Sequence, residues 1–222
     1  MSSSSPSGSA SKWIAAVLSL LACGVAVSAE VMAEVRDTRG APVAGAVVWV
    51  TPIGSKIPQK LMPAIVAHQN KQFVPYVTAV QVGTTINLPN LDDVKHHAYS
   101  FSPAKKFELP LYAGTPEAPL LFDKPGIVTI GCNIHDWMTA YVCVVETPFF
   151  AISGADGRVQ LRNLPAGAYR AEVWQPRLKG QPADYAQPFT IQNEAVKLAF
   201  KLDLKLEFRA RRNPATLDGR YP

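Results

Sequence analysis

Prolines and glycines recur at short intervals along this chain and leave mostly short segments between them. There are 19 prolines and 14 glycines among 222 residues, and both residue types mark turns or end regular structure. Several intervening segments alternate apolar and polar residues, most clearly 197–208. Alternation with a period of two indicates half-buried strands rather than helices. The sequence therefore predicts an all-β sandwich built of one or two modules.

The composition allows a sizeable core and argues against nucleic-acid binding. Hydrophobic residues make up 48% of the chain and charged residues only 18%. The formal net charge is +5, but no cluster of Lys and Arg interleaves with aromatic residues. An acidic protein partner or the basic tail, residues 209–222, accounts better for the excess of positive charge.

The first 29 residues have the pattern of a signal peptide. Lys12 precedes an apolar run over 13–27, and small residues follow before a cleavage site after Ala29. The run is shorter than the roughly 20 residues that a membrane-spanning helix needs. Leu20-Leu21-Ala22-Cys23 also resembles a lipobox, which would place a lipid anchor on Cys23. In either case we expect an exported, periplasmic chain without a transmembrane span.

Three side chains that bind soft or borderline metals lie close together in the sequence. Cys132, His135 and Met138 form a C-x2-H-x2-M pattern, which a loop between two strands can present. Thiolate, imidazole and thioether groups suit copper, and two His, one Cys and a weak Met form the blue-copper ligand set. The remaining ligand must come from elsewhere, and His96 or His97 is available.

Other polar residues are interpreted as structural. Cys143 lies mid-strand among valines and is expected to be a buried thiol. Of the three cysteines, Cys23 falls in the predicted signal peptide, and the two that remain are too few for a disulfide framework. His68 has no partner pattern and is expected to face solvent. Asp92 and Asp93 are interpreted as loop residues rather than an acid/base pair. No catalytic triad, P-loop or GxGxxG pattern stands out, so the sequence does not predict an enzyme.

Two separated patterns resemble the cupredoxin family of blue-copper proteins. The first comprises Phe73, Pro75, Val80, Gly83, Ile86, Asn90 and His96, and the second comprises Gly126, Cys132, His135 and Met138. The resemblance implies a Greek-key β-sandwich over residues 60–147 with one type 1 copper site made of His96, Cys132, His135 and Met138. The short spacing between His135 and Met138 resembles the amicyanin branch.

Two neighbouring residues, His96 and His97, are candidates for the first histidine ligand. The family pattern favours His96. Strand alternation instead puts His97 on the side of Tyr99 and Phe101, which would make His97 the inward residue. Asn90 and Asn133 are candidates for hydrogen bonds around the ligands, and Trp137 is interpreted as packing at the base of the loop.

The flanks of the metal-binding segment resemble a different class of sandwich. Residues 35–48 and 157–174 resemble a carboxypeptidase-regulatory-like (transthyretin-like) domain. The resemblance implies a discontinuous Ig-like sandwich over 30–55 plus 149–208, with the 60–147 module inserted in it or joined to it. The segments 99–109 and 131–138 also resemble periplasmic proteins labelled methylamine-utilization proteins.

The resemblance implies electron transfer rather than catalysis. Four protein ligands leave no open coordination position, unlike a catalytic metal site. We therefore expect a periplasmic carrier of single electrons that meets a dehydrogenase or a cytochrome in brief contacts, with His135 as the exposed edge of the site. A copper carrier or storage protein, and a structural binding module with a non-functional metal site, are the alternatives.

Overall fold

The computed structural model describes residues 29–192 and 194–206. The predicted signal peptide before Ala29, the lipobox cysteine Cys23 and the predicted basic tail lie outside the described residues. Among the described residues, no helix is long and apolar enough to cross a membrane.

The described residues form strands and one short 3-10 helix, Pro182–Tyr185. The strands of the first half are β1 (Ala29–Asp37), β2 (Val47–Pro52), β3 (Ala64–Ile65), β4 (Ala67–His68), β5 (Phe73–Val74), β6 (Val77–Gln81), β7 (Thr84–Asn87), β8 (His96–Ser102) and β9 (Lys105–Tyr112). The others are β10 (Leu120–Phe122), β11 (Gly126–Cys132), β12 (Thr139–Val145), β13 (Phe150–Ile152), β14 (Arg158–Leu164), β15 (Gly167–Trp174), β16 (Gln187–Ile191) and β17 (Val196–Leu202). The predicted all-β class is confirmed.

The two ends of the chain build one pair of sheets. Strand β1 pairs antiparallel with β14 and parallel with β17, and a second sheet has the order β13-β2-β15-β16. In β1 the residues alternate, with Val31, Ala33 and Val35 buried and their neighbours more exposed. The buried faces of both sheets contribute to one hydrophobic cluster, as in a sandwich of two packed sheets.

The middle of the chain builds a second set of sheets. A five-stranded sheet has the order β6-β12-β11-β8-β9, and a three-stranded sheet has the order β10-β7-β3. Strand β6 runs parallel to β12, whereas β12, β11, β8 and β9 pair antiparallel. A separate cluster around Ile86, Phe122 and Ile130 fills this part of the molecule.

Strand β12 contacts both hydrophobic clusters. Val142 and Val144 belong to the middle cluster, and Cys143 and Val145 belong to the cluster of the outer sheets. Successive side chains of a strand point to opposite faces, so β12 is covered on both sides. This burial on both faces explains the continuous apolar sequence of β12. It also holds β12, and β11 that pairs with it, in a well-packed position next to the loop that joins them.

Candidate metal centre

The C-x2-H-x2-M segment is a short loop closed by its own backbone. Strand β11 ends at Cys132 and β12 begins at Thr139. The N–H of Cys132 donates to the carbonyl of Met138 at 3.3 Å, and the N–H of Met138 donates to the carbonyl of His135 at 2.9 Å. These bonds bring the side chains of Cys132 and His135 to the same end of the hairpin.

Strand β8 supplies the third side chain of this cluster. Cys132 pairs with Ala98 across the β8–β11 ladder, so the beginning of β8 lies beside the end of β11. His96 Nδ1 is 3.8 Å from Cys132 Sγ, and His135 Nδ1 is 3.9 Å from the same sulfur. All three ligand atoms lie within 4.8 Å of one another.

The spacing of these three atoms fits a single metal ion. Metal bonds to imidazole nitrogen and thiolate sulfur are about 2.0–2.3 Å long, which sets the ligands of one ion roughly 3.5–4 Å apart. His96, Cys132 and His135 are only 0%, 4% and 6% exposed. The cluster therefore combines the donors that suit copper with a site that excludes most water.

His97 lies away from this cluster. Its Nε2 is 3.1 Å from Glu108 Oε1, and its ring contacts Tyr99. Ala98 and Ser100 are buried with His96, whereas Phe101 is 75% exposed. The prediction from strand alternation that His97 is the inward residue is therefore wrong, because the small residues of β8 face the core and its aromatic residues do not.

Met138, the fourth predicted ligand, is the last residue of the loop before β12. It is 2% exposed and belongs to the same buried cluster as Cys132. Its backbone hydrogen bonds join it to Cys132 and His135, as described above. Met138 is therefore fastened to the loop that carries two of the three clustered side chains.

Asp92 is a loop residue, but its carboxylate contacts the cluster. Its Oδ2 is 2.8 Å from His96 Nε2 and accepts the backbone N–H of Lys71 at 2.9 Å. Burial by itself would raise the pKa of Asp92, but the hydrogen bonds from Lys71, His96 and Asn70 outweigh it and hold the pKa below 3.8. The neighbouring Asp93 is exposed.

The prediction that His68 faces solvent is wrong. The side chain is fully buried, and its ring stacks on His96 with centroids 4.9 Å apart and planes within 5°. The hydroxyl of Tyr112 donates to the carbonyl of Leu88 and lies 3.1 Å from His68 Nδ1. Since that hydroxyl has a single proton, His68 Nδ1–H is the donor. No sequence signal near His68 indicates this contact.

The burial of His68 is expected to make the metal-free chain less stable in acid. Burial, with the nearby His96, lowers the pKa of His68 from 6.5 to about 4. Between these values the unfolded chain binds a proton that the folded chain does not, so stability falls as the pH drops through this window. Between pH 7 and pH 4.5 we expect the free energy of unfolding of the wild-type chain to fall by about 2–3 kcal/mol, and that of a His68→Phe variant to lack this decrease. Urea unfolding of both chains at the two pH values measures the difference. An equal decrease in both chains would contradict the prediction.

The remaining predicted residues divide between structural roles and exposed positions. The amide of Asn90 donates to the carbonyls of Val94 and Tyr112, and its oxygen accepts the N–H of Asp92. The indole Nε1–H of Trp137 donates to the carbonyl of Lys71 at 3.0 Å, and its ring lies 5.0 Å from His135. Asn133 is exposed. The ring of Trp137 packs against His135, which is buried. His135 is therefore not the exposed edge of the site that the sequence predicted.

Comparison with known proteins gives partial structural similarity only. No protein family and no curated protein matches the chain. A copper-containing nitrite reductase from Thermus scotoductus SA-01 is 26% identical over 43% of this chain and 25% of its own, with a TM-score of 0.36. A purple cupredoxin from Nitrosopumilus maritimus is 22% identical over 36% of this chain and 98% of its own, with a TM-score of 0.32. A mutant of amicyanin in the Cu(I) form is 17% identical over 43% of this chain and 97% of its own, with a TM-score of 0.33. The match thus spans about a quarter of the reductase.

Proposed function

We propose that residues 60–147 hold one type 1 copper ion and that the chain carries single electrons between redox partners. The observation that carries this proposal is the buried cluster of His96, Cys132 and His135, whose three donor atoms lie within 4.8 Å of one another. A thiolate and two imidazoles are the donors of the blue-copper set.

The proposed ligands are His96, Cys132, His135 and, as the weak fourth donor, Met138. Copper bound there would supply a redox couple, Cu(II)/Cu(I), that gains and loses one electron. The protein contributes a ligand set whose positions are held by backbone hydrogen bonds and by the two-sided burial of β12. Donors that are already in place and shielded from water need little rearrangement when the charge of the site changes.

The same arrangement supports a carrier rather than an enzyme. A catalytic metal site keeps a position open for substrate, whereas four protein ligands would fill this one. The partner would be a periplasmic dehydrogenase or cytochrome that docks briefly, since redox encounters bury little area. The periplasmic location rests on the signal-peptide pattern of the first 29 residues.

The domain organisation and the finer family resemblance are part of this proposal. Strands from 29–52 pair with strands from 150–202 and not with those from 64–145, which supports an Ig-like host domain with the copper module inserted. The proposed assignment to the cupredoxins of the methylamine-utilization type rests on the segments 99–109 and 131–138.

Reversible redox cycling of the copper-loaded chain tests the function. The mature chain, loaded with Cu(II), is expected to bind one copper per chain and to show an intense blue thiolate-to-copper absorption. One electron per chain should bleach this absorption, and reoxidation should restore it without loss of metal to a competing Cu(I) chelator.

Two other outcomes would contradict the electron-carrier proposal. A chain that binds copper but releases it readily to the chelator would be a copper carrier or storage protein. A chain that binds no copper would be a structural module.

A further inference from the structure

A two-residue turn joins β4 and β5. Gln69 and Gln72 exchange both of their backbone hydrogen bonds, at 2.8 and 3.1 Å. Between them Asn70 and Lys71 have φ values of +54° and +55°, the left-handed conformation that both central residues of a two-residue type I′ hairpin turn adopt. Asn tolerates this conformation better than most residues, whereas it is disfavoured for Lys. We call residues 69–72 the hairpin turn.

The hairpin turn is bonded to both segments that carry the proposed ligands. On one side, the N–H groups of Asn70 and Lys71 donate to the two carboxylate oxygens of Asp92, at 2.6 and 2.9 Å. Asp92 in turn contacts His96. On the other side, the carbonyl of Lys71 accepts the indole N–H of Trp137, which lies between the proposed ligands His135 and Met138.

The carboxylate of Asp92 is the meeting point of three donors. It faces the backbone N–H of Asn70, the backbone N–H of Lys71 and Nε2 of His96. An ionised carboxylate only accepts hydrogen bonds, so Nε2 of His96 must carry the proton. Nδ1 of His96 is then left with its lone pair, and this is the atom 3.8 Å from the sulfur of Cys132. A carboxylate that orients a histidine in this way makes the other ring nitrogen a better metal ligand.

We propose that the hairpin turn and Asp92 act together as a clamp that positions both ligand segments and sets the tautomer of His96. Asp92 is a positioning residue, because it acts on the metal through His96. Its negative charge also favours the more positive Cu(II) state over Cu(I) and therefore lowers the reduction potential. This effect on the potential rests on the proposed copper site, whereas the clamp itself exists in the metal-free chain.

Asp92→Asn is the variant that tests the clamp, and Asp93→Asn is its matched control. Both changes remove one negative charge from adjacent positions, but Asp93 is exposed. An amide has one oxygen and an NH2 group, so Asn at position 92 must turn an NH2 group toward one of the three donors. In the metal-free chain, we expect amide exchange at Asn70 and Lys71 to become roughly 10–100-fold faster in Asp92→Asn. The ¹⁵N shifts of His96 should move toward a mixture of tautomers. Asp93→Asn should change neither.

The copper-loaded chain provides the second measurement. We expect the affinity for Cu(II) to fall roughly 10–100-fold in Asp92→Asn and the affinity for Cu(I) to change little. Each tenfold difference corresponds to a rise of about 59 mV in the one-electron reduction potential. Asp93→Asn should leave the potential close to that of the wild-type chain.

The outcomes separate this inference from the proposed function. If the wild-type chain binds no copper, the proposed function fails, and exchange and ¹⁵N shifts in the metal-free chain still decide the clamp. If copper binds, Asp92→Asn must differ from Asp93→Asn in exchange, tautomer and potential. Equality in any of them would overturn the inference.

A second variant keeps the test decisive if Asp92→Asn does not fold. Trp137→Phe keeps the ring but removes the N–H that holds the carbonyl of Lys71. We expect exchange at Asn70 and Lys71 to become about fivefold faster, because one neutral hydrogen bond contributes about 1 kcal/mol. Unchanged exchange in this variant would also overturn the clamp.

Discussion

Replacing Cys132 by serine is expected to abolish the blue absorption of the copper-loaded chain. The sulfur of Cys132 is the atom that both histidine nitrogens approach, at 3.8 and 3.9 Å. A thiolate is the metal ligand, and a serine hydroxyl does not ionise at neutral pH. Mutating a residue that hydrogen-bonds to a metal ligand lowers metal affinity roughly 10–100-fold. Removing the ligand Cys132 itself should lower the affinity for copper by more than this. Visible spectra and copper titration of the purified variant measure both effects.

Cys143→Ser is the matched control for this substitution. Cys143 is 1% exposed and lies on the face of β12 that packs against the outer sheets, away from the cluster that contains Cys132. Burial raises the pKa of Cys143 to about 12, so it stays a neutral thiol. The control should keep the blue absorption. Absorption retained in Cys132→Ser, or lost equally in both variants, would contradict the assignment of the thiolate ligand.

Phe122→Ala is expected to lower the free energy of unfolding of the metal-free chain by about 3–5 kcal/mol. Phe122 is fully buried and belongs to the hydrophobic cluster that also contains Cys132 and Met138. Truncation removes apolar contacts and leaves a cavity between the sheets that the surrounding residues fill only partly. Denaturant unfolding monitored by tryptophan fluorescence and circular dichroism gives the change.

Phe101→Ala serves as the control for this stability measurement. Phe101 has the same side chain on β8 but is 75% exposed, so its truncation should change stability by no more than about 0.5 kcal/mol. Similar losses in the two variants would mean that the cluster around Phe122 does not form the core of the middle sheets.

The loop between Cys132 and Thr139 could be predicted from the sequence because its signals are local. Cys132, His135 and Met138 are close in the chain, and strong strand patterns flank them. The structure has strands that end at Cys132 and begin at Thr139, with the loop between them. His96, which the structure places beside Cys132 and His135, was predicted through a resemblance to family patterns, whereas alternation by itself favoured His97.

The surroundings of His96 could not be predicted in this way. His68 stacks on its ring and Asp92 contacts its Nε2, but neither residue belongs to a recognisable motif. Their roles depend on the β4–β5 hairpin folding over the loop that contains Asp92. Hydrogen bonds between residues about twenty positions apart, such as that of Lys71 with Asp92, leave no periodic signal in either segment.

The sequence by itself determined the all-β class, the strand on each side of the loop between Cys132 and Thr139, and the side chains in that segment that are able to bind a metal. These features follow from short-range rules, because turn residues and two-residue alternation act within a few positions. Only the tertiary structure decided that β8 turns its small residues and His96 inward, that β12 is buried on both faces, and that Asp92 and His68 contact His96. The physical reason is that burial depends on which sheets stack against a strand, and the strands that do so here come from distant parts of the chain.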